Sequence, residues 1–312
     1  MNQKNLSYGQ LYYAKMKAKQ FGITVDQYLA SKGTKRVSSI ESNEVTVSKA
    51  QDIDLSKVVK LRNLDITEGM LQRYTTGQPV DQLFSYEGGI PVGTNIMCTG
   101  DPGVGKTTVL LHTLANLQVK NRNLKCLFIC AEMSKIQMFK YTQRFPIFGE
   151  VETVFASDFM DSNFKLVMEK LLARGYDYIL MDSIVEVLET VRDDSGMSQM
   201  QAEKWLIDLC VTNNEGKNDR KAFTSMLLIQ QVTKSGVFVG SNKMKHITDA
   251  HMEMRRQRER DGGGTYIEFS KNRNGQAGIR FGYMLSNDRI DYGTVSQIEE
   301  GETFEFENEV TI

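Results

Sequence analysis

The sequence predicts an α/β protein whose core is a mainly parallel, twisted β-sheet with helices on both faces. Three observations predict this fold class. Short apolar segments without polar alternation recur along the chain, as in parallel strands that are buried on both faces. Segments of helical periodicity separate them, as the crossovers of a parallel sheet require. One of the apolar segments runs directly into a glycine-rich segment that is followed by a helix.

The predicted elements alternate over residues 94–229. Strands are predicted at 94–99, 124–130, 153–156, 178–181 and 224–229, and helices at 106–120, 134–145, 162–174 and 198–213. Beyond Gln230 the pattern changes, and glycine turns between short apolar segments predict antiparallel hairpins. Their strands are predicted at 251–254, 265–269 and 279–285.

Both ends of the chain predict extensions outside this core. Residues 1–72 are interpreted as a helical arm and linker, because Leu11, Tyr12, Met16, Phe21, Val25 and Tyr28 follow a helical spacing. An amphipathic arm can bury its apolar side only against its own core or against a neighbour, and we expect it to pack against a neighbouring subunit. Residues 298–312 hold six Glu and no Lys or Arg and predict an acidic tail.

Composition excludes several classes of protein. Of the 312 residues, 40% are hydrophobic and 25% are charged, which excludes collagen-like and wholly disordered chains. No apolar run reaches the roughly 18 to 20 residues that cross a bilayer, and the N-terminus lacks the apolar core of a signal peptide. We therefore expect a cytoplasmic protein without membrane contact.

Cysteine spacing and net charge bear on the kinds of structural site and partner that can be expected. Cys98, Cys126, Cys130 and Cys210 form no CxxC pair, so neither a zinc module nor a disulfide scaffold is predicted, and we expect reduced, buried thiols. The net charge of the chain is −1, but without the acidic tail it is +5. The body is thus mildly basic, which is compatible with a nucleic-acid partner.

The glycine-rich segment matches the phosphate-binding loop pattern at every fixed position. Its glycines allow backbone N–H groups to point at phosphate oxygens, and the helix N-terminus adds partial positive charge. Lys106 is expected to reach the β- and γ-phosphates, and the Thr107 hydroxyl to bind Mg²⁺. The predicted nucleotide-binding residues are Gly100, Asp101, Pro102, Gly103, Val104, Gly105, Lys106, Thr107 and Thr108.

Two acidic residues at strand ends complete this predicted site. Asp182 ends the apolar run 178–181 and is expected to hold Mg²⁺ together with Thr107, with a cap on the next helix as the alternative role. Glu132 follows the strand 124–130 at the same edge of the sheet, where a carboxylate can act as the general base for an attacking water. An ordinary carboxylate at a helix start is the alternative for Glu132.

Several segments resemble the RecA-type P-loop ATPases, and within them the bacterial RadA branch-migration proteins and the ATPase domain of DnaB-type replicative helicases. Residues 76–83, GDPGVGKTT, DSGMSQMQAEKWL and residues 231–236 resemble segments of RadA. Residues 132–134 resemble the LEMS of DnaB, and residues 271–275 fall between the KNRFG of RadA and the KQRNG of DnaB. The resemblance implies a RecA-like ATPase core in residues 73–297 that uses ATP and Mg²⁺.

The resemblance also implies roles for individual residues. Glu132 matches the glutamate that polarises the attacking water, and Gln231 falls where these families place a polar sensor of the γ-phosphate. Lys271 and Arg273 match a pair that reaches the nucleotide site of the neighbouring subunit in ring-shaped members. Such a cation stabilises charge on the transferred phosphoryl group. Two solvated hairpin charges are the alternative for this pair.

The chain departs from both relatives. It has neither the four-cysteine zinc module nor the protease-like domain of RadA, and Asn274 replaces the phenylalanine of the RadA motif. The first 70 or so residues are too few for the helical collar of DnaB. We therefore expect a minimal member of bacterial or phage origin, with the subfamily left open.

Basic residues that follow Gln231 are the candidates for DNA contact. Residues 243–273 hold eight Lys or Arg against five Asp or Glu. Because RecA-type proteins place a DNA-facing loop after the sensor, Lys234, Lys243 and Lys245 are expected to contact DNA phosphates, with a solvated loop as the alternative. Arg255 and Arg256 are assigned to a hairpin tip, where DNA binding, subunit contact and plain solvation all remain open. The resemblance places a second DNA loop at residues 191–200, although its acidic residues disfavour phosphate binding.

These observations favour an ATP-driven motor that binds single-stranded DNA as a homo-oligomer, in a hexameric ring or a filament, and acts with replication or recombination proteins. No groove-reading motif is present, so contacts to the DNA backbone are expected. The second hypothesis is a nucleotide-gated scaffold or recombination mediator with slow ATP hydrolysis. A small-molecule kinase is disfavoured, because Lys271 and Arg273 follow the pattern of oligomeric ATPases.

Overall fold

A computed structural model describes most of the chain. The described residues are 14–19, 22–33, 58–159, 162–231, 244, 247–257 and 263–296. Two compact units are distinguished, residues 1–64 and residues 65–312. Within the described ranges, no helix combines the length and the apolar character needed to span a membrane. The acidic tail expected at 298–312 lies outside these ranges.

In the described part of the N-terminal unit, two short α-helices occupy residues 14–19 (α1) and Val25–Gly33 (α2). Thr24 caps α2, since its hydroxyl accepts a hydrogen bond from the N–H of Gln27. Among the residues of this unit whose burial the structure describes, Ala14, Ala18, Tyr28 and Leu29 are buried. Met16 was expected on the buried side but is 59% exposed, because the buried side of α1 is formed by alanines four residues apart. The predicted packing of the arm on a neighbouring subunit stays a prediction.

The larger unit is built on a mixed sheet in which the structure describes nine strands. They are β3 (Asn95–Gly100), β4 (Cys126–Cys130), β5 (Glu152–Phe155), β6 (Tyr178–Asp182), β7 (Ser225–Ile229), β8 (Ala250–Arg256), β9 (Thr265–Asn272), β10 (Arg280–Leu285) and β11 (Ile290–Ser296). Their order is β11-β10-β9-β8-β3-β7-β6-β4-β5. A separate antiparallel pair, β1 (Arg73–Tyr74) and β2 (Ile90–Pro91), precedes β3. The predicted α/β fold class, with its antiparallel C-terminal extension, is confirmed.

Pairing changes from parallel to antiparallel one strand later than predicted. The sequence was interpreted as hairpins directly after Gln230. Instead, β8 pairs in parallel with β3, from Ile96 opposite Ala250 to Gly100 opposite Met254. Only β9 runs antiparallel to β8, followed by the hairpin of β10 with the unpredicted strand β11. The local pattern of β8 could not reveal this, because its partner β3 lies about 150 residues away and side-chain alternation is the same in both pairings.

Helices pack on both faces of the sheet. They are α3 (Asp81–Phe84), α4 (Lys106–Lys120), α5 (Lys135–Arg144), α6 (Phe164–Ala173), α7 (Ile184–Ser195) and α8 (Gln199–Asn214). Buried side chains of α4 and α5 share a core with Cys98 and Phe128, whereas those of α6, α7 and α8 share another core with Met97 and Leu127. Since neighbouring residues of a strand point to opposite faces, the two cores lie on opposite sides of the sheet.

The helix α7 replaces much of the DNA loop that the resemblance placed at residues 191–200. Ile184, Val187 and Val191 are buried along one side of this helix, which ends at Gly196 with φ 66°. Their spacing follows the helical period, so the apolar pattern already favoured a helix. Only the short connection to α8 remains outside a helix. The four cysteines are all buried, as expected.

Candidate nucleotide-binding site

The phosphate loop connects β3 to α4, and glycines shape it. Gly103 (φ 75°) and Gly105 (φ 90°) adopt left-handed conformations that side chains disfavour. At Gly100, an added Cβ would lie 2.0 Å from the carbonyl oxygen of Met254, so only glycine allows β8 to approach this closely. Gly105 immediately precedes α4. The first N–H groups of a helix have no partner within it, so this end of α4 favours an anion.

The antiparallel part of the sheet holds the loop in place. The hydroxyl of Tyr283 on β10 donates a 2.7 Å hydrogen bond to the carbonyl oxygen of Val104. Leu285 packs so closely that a Cβ on Gly105 would lie 2.1 Å from its Cδ1. Sequence reasoning missed both residues, because the pattern of a hairpin strand does not show which loop it will contact.

Lys106 begins α4 and folds back over the loop. Its Nζ donates 3.0 Å hydrogen bonds to the carbonyl oxygens of Gly100 and Asp101. An ammonium group has three donors, so these two bonds do not exhaust its capacity. The arrangement holds a positive charge at the mouth of the loop, where phosphate oxygens would lie.

Thr107 and Asp182 meet where β6 ends. The Thr107 hydroxyl donates a hydrogen bond to Oδ2 of Asp182. The second carboxylate oxygen, Oδ1, is buried and has no hydrogen-bond partner among the described residues. Burial, together with the nearby Glu132, raises the pKa of Asp182 to about 6, although Thr107 and Lys106 act in the opposite direction.

These two residues suit Mg²⁺. A hydroxyl and a carboxylate are the hard oxygen ligands that this cation prefers. The unpartnered Oδ1 is a buried acceptor that a cation or its water shell would satisfy. In the described parts of the chain, no group of three or more His, Cys, Asp or Glu side chains could hold a metal. Mg²⁺ is commonly held by one or two protein ligands together with waters and substrate phosphates.

Glu132 stands beside this pair at the end of β4. The N–H groups of Ala131 and Glu132 donate to the carbonyl oxygen of Asp182 at 2.8 and 3.2 Å, which joins the ends of β4 and β6. The pKa of Glu186 is raised mainly by burial, then by the charge of Glu189 and then by the charge of Glu132. Glu132 does not cap α5, because Ser134 forms the capping box of that helix.

Most of the residues predicted for the nucleotide site line one cavity of about 370 Å³. It is lined by Gly100, Pro102, Gly103, Gly105, Lys106, Thr107, Thr108, Glu132, Tyr141, Asp182, Ile229 and Gln231. Gln231 lies there because it follows β7, whose neighbour β3 leads into the loop. Tyr141 and Ile229 were not expected. Their apolar spacing marks them as core residues, and nothing in it shows that they border a cavity.

Two of the predicted nucleotide-binding residues face elsewhere. Val104 is 1% exposed and does not line the cavity; its carbonyl oxygen accepts the hydrogen bond from Tyr283. Asp101 is half-buried and also absent from the lining. Its carboxylate accepts a 3.0 Å hydrogen bond from the N–H of Arg256.

Lys271 and Arg273 lie at the opposite edge of the sheet. Lys271 is near the end of β9, and Arg273 immediately follows this strand. Because β9 runs antiparallel to β8, the end of β9 lies beside the start of β8. Lys271 donates a hydrogen bond to the carbonyl oxygen of Thr248, and burial together with the charge of Arg273 lowers the pKa of Lys271. Arg273 forms a 3.1 Å ion pair with Asp249.

The distance to the phosphate loop follows from strand geometry. Asp249 accepts a 2.9 Å hydrogen bond from the N–H of Asn95, the first residue of β3. The loop begins at Gly100, five residues further along β3, which corresponds to roughly 16 Å at the usual rise of a strand. Neither Lys271 nor Arg273 is therefore placed to reach the nucleotide cavity of its own chain.

The turn after β9 is fixed to the body of the protein. The side-chain oxygen of Asn272 accepts 3.0 Å hydrogen bonds from the N–H groups of Asn274 and Gly275, and its Nδ2 donates to the carbonyl oxygen of Leu83 at 2.9 Å. Asn274, where the chain departs from the RadA motif, accepts a hydrogen bond from the N–H of Tyr86 through its carbonyl oxygen. Arg273 is thus part of a turn that several hydrogen bonds fix.

The candidate DNA-binding residues divide into two groups. Lys234, Lys243 and Lys245 lie outside the described residues. Arg255 and Arg256 are exposed, but they belong to β8 and not to a hairpin tip, since they lie opposite Tyr266 and Thr265 on β9. β8 is longer than predicted because Met254 lies opposite Ile267, and pairing with β9 continues beyond it.

Comparisons with known proteins agree with this architecture. No protein-family model matches the sequence. The "DNA repair protein RadA" of Mycobacterium tuberculosis is 26% identical over 207 residues, which are 65% of this chain and 40% of that protein. RadA of Listeria monocytogenes is 26% identical over 162 residues, 52% of this chain and 33% of that protein. The chain thus spans well under half the length of these relatives.

Solved structures show the same fold. A KaiC-like protein, PH0186 of Pyrococcus horikoshii, superposes with a TM-score of 0.52 at 17% sequence identity. The superposition covers 72% of this chain and 99% of that protein. Together with the phosphate loop and the RadA similarity, this supports a RecA-type fold with a phosphate loop in a chain that resembles RadA.

Proposed function

We propose that this protein is an ATP-hydrolysing motor of the RadA/DnaB-like class that binds single-stranded DNA and works as a homo-oligomer. One observation carries the proposal: Lys106, Thr107, Asp182, Glu132 and Gln231 line a single cavity at the end of the phosphate loop. These are the groups that phosphoryl transfer to water needs, namely phosphate-binding donors, a metal site and a candidate base.

In this proposal Glu132 activates the attacking water. As the oxygen of the water bonds to the γ-phosphorus, its proton passes to the Glu132 carboxylate, and the bond from that phosphorus to the β–γ bridging oxygen breaks. ADP and phosphate are the products. Lys106 and the N-terminus of α4 stabilise the phosphate charge, and Gln231 contacts the γ-phosphate. Thr107 and Asp182 would hold Mg²⁺, which neutralises phosphate charge when it is bound.

A second subunit would complete the site. Lys271 and Arg273 lie roughly 16 Å from the loop of their own chain along β3, and the proposal assigns them to the site of an adjacent chain. A head-to-tail contact between identical subunits generates a ring or a filament. Arg273 would exchange its ion pair with Asp249 for the phosphate charge in such an assembly.

The proposed DNA partner has two supports. The similar curated proteins are named DNA repair proteins. The chain without its acidic tail is basic, and the exposed Arg255 and Arg256 lie on β8, next to the phosphate loop. Because the sequence carries no groove-reading motif, single-stranded DNA bound through its phosphates is the proposed ligand.

The test compares ATP hydrolysis by the wild type and by Glu132→Gln, each with and without single-stranded DNA at moderate salt. Loss of a general base typically lowers the rate by roughly 10²- to 10⁴-fold. We expect turnover that DNA stimulates and that Glu132→Gln abolishes. Turnover unaffected by DNA would favour the nucleotide-gated scaffold, and a fully active Glu132→Gln would show that the base lies elsewhere.

A further inference from the structure

Arg144 joins the last turn of α5 to the turn between β10 and β11. Its Nε donates a 2.8 Å hydrogen bond to the carbonyl oxygen of Asn287, and its Nη2 donates a 3.3 Å hydrogen bond to that of Ser286. A guanidinium group carries its donors in a fixed planar fork, which suits two neighbouring acceptors. One side chain thus connects residues more than 140 positions apart in the chain.

Both of the connected elements belong to the nucleotide site. On the α5 side, Tyr141 lines the cavity one helical turn before Arg144. On the β10 side, the hydroxyl of Tyr283 donates a hydrogen bond to the phosphate loop, and Leu285 packs against Gly105 of that loop. Arg144 therefore connects the cavity wall formed by α5 to the strand that holds the phosphate loop.

Aromatic rings orient the guanidinium group of Arg144. Its Cζ lies 5.8 Å from the ring centroid of Tyr141 and 5.5 Å from that of Phe145. A guanidinium group at this distance from an aromatic ring gains cation–π attraction. Phe145 is buried and stacks on Phe148, with 5.0 Å between the ring centroids. The side chain of Arg144 is therefore held in place although it is exposed, and it lies beside the tyrosine that borders the cavity.

We propose that Arg144 is a positioning residue for nucleotide binding. It fixes the end of β10 relative to α5, so that β10 holds the phosphate loop at a set spacing from Tyr141. The inference rests on the nucleotide-binding part of the proposed function and does not depend on DNA binding or on assembly. A site that is already in its bound arrangement binds more tightly, because less ordering accompanies binding. Without the two hydrogen bonds of Arg144, part of this ordering falls to the nucleotide.

The affinity for a fluorescent nucleotide measures this role. Dissociation constants of mant-ATP and mant-ADP with Mg²⁺ are determined for the wild type and for Arg144→Ala, together with the dissociation rates after a chase with unlabelled nucleotide. Ordering one additional side chain on binding typically changes affinity by roughly 2- to 10-fold. We expect Arg144→Ala to weaken binding within this range through faster dissociation. The KM for ATP should rise by the same factor, while kcat stays within about 2-fold of the wild type.

Two further variants separate the hydrogen bonds from the charge. Arg144→Lys keeps the positive charge but replaces the fork of donors with a single ammonium group, so it should show most of the loss. It also takes the place of Arg144→Ala if that variant does not fold. Arg122→Ala is the matched control, because Arg122 is an exposed arginine between α4 and β4, at the end of α4 that lies away from the phosphate loop. It should leave nucleotide affinity unchanged.

A double-mutant comparison tests whether Arg144 acts through the end of β10. Leu285→Ala removes the side chain that packs against Gly105 and should itself weaken nucleotide binding. Adding Arg144→Ala to Leu285→Ala should then weaken binding by a clearly smaller factor than Arg144→Ala does in the wild type, because residues that act through one contact are not additive. The same factor in both backgrounds would show that Arg144 acts independently of this contact and would overturn the inference.

The outcomes distinguish this inference from the proposed function. A wild type that binds neither fluorescent nucleotide would overturn both. Nucleotide binding by the wild type that Arg144→Ala leaves unchanged would overturn the role of Arg144 alone, and the ATPase proposal would stand. Wild-type affinity in Arg144→Lys would show that the charge of Arg144 is sufficient, which would overturn positioning by its two hydrogen bonds.

Discussion

Thr107 donates its hydroxyl hydrogen to one carboxylate oxygen of Asp182, while the other oxygen of that carboxylate is buried without a partner among the described residues. The pair joins the first turn of α4 to the end of β6. Burial makes the ionised form of Asp182 unfavourable and raises its pKa from 3.8 to about 6. The buried, ionised carboxylate of Asp182 therefore weakens the fold of the protein.

This relationship has a pH dependence that can be measured. The folded state holds the Asp182 proton more tightly than the unfolded chain, so the free energy of unfolding falls as the pH rises from about 4 to about 6. A shift of this size corresponds to about 3 kcal/mol at pH 7. Asp182→Asn should remove this part of the pH dependence and stabilise the protein at pH 7.

Urea unfolding of the metal- and nucleotide-free protein between pH 4 and pH 8 tests this expectation. Asp208→Asn, on the exposed side of α8, is the control and should follow the wild type. The same pH dependence in the wild type and in Asp182→Asn would show that Asp182 is not the group responsible.

Gly100 and Gly103 of the phosphate loop should differ sharply in their tolerance of alanine. A methyl group at Gly100 would collide with backbone of β8 that cannot move aside, so Gly100→Ala should cost more than about 4 kcal/mol or prevent folding. At Gly103 an added Cβ has no heavy atom within 4 Å, and only the left-handed backbone opposes it. Gly103→Ala should cost about 1 to 2 kcal/mol. Equal losses in denaturant unfolding would contradict this account.

Removing the hydroxyl of Tyr283 should destabilise the loop. Tyr283→Phe leaves the buried carbonyl oxygen of Val104 without its donor, which typically costs about 1 to 3 kcal/mol. Tyr86→Phe is the matched control, because Tyr86 is 76% exposed and should change stability by less than about 0.5 kcal/mol. Thermal unfolding of the two variants provides the comparison, and similar melting temperatures would argue against a role for the Tyr283 hydroxyl.

A composite site should be restored by mixing two inactive variants. Lys106→Ala damages the phosphate loop, and Arg273→Ala removes the cation that we place in a neighbouring site. In a random, equal mixture about one contact in four combines an intact loop with an intact arginine. The mixture should therefore regain up to about a quarter of the wild-type ATPase rate. If mixing restores no activity although the subunits exchange, Arg273 does not act across the contact.

Much of the site could be predicted from local sequence. The phosphate loop depends on glycines and on a lysine at fixed spacing, and α4 has the bounds that its apolar pattern predicts. Asp182 and Glu132 were placed together because both follow buried parallel strands, and the carboxyl ends of such strands share one edge of the sheet. Each of these inferences relies on residues close together in the chain.

Other features depended on contacts between distant segments. The parallel pairing of β8 with β3, the packing of Leu285 against Gly105 and the hydrogen bond from Arg256 to Asp101 each join residues more than 140 positions apart. The helix α7 is a different case, because it did not depend on distant contacts. The helical spacing of its apolar residues is visible in the sequence, but the family resemblance predicted a loop over part of it.

The sequence by itself determined most helices and strands and the residue types of the nucleotide site. Backbone propensity, apolar periodicity and loop glycines act over a few residues, so they can be recognised locally. Only the tertiary structure decided which strand lies beside the loop, which edge carries Lys271 and Arg273, and that Asp101 bonds to β8 without lining the cavity. The physical reason is that strand pairing and side-chain packing are selected by the burial of the whole core.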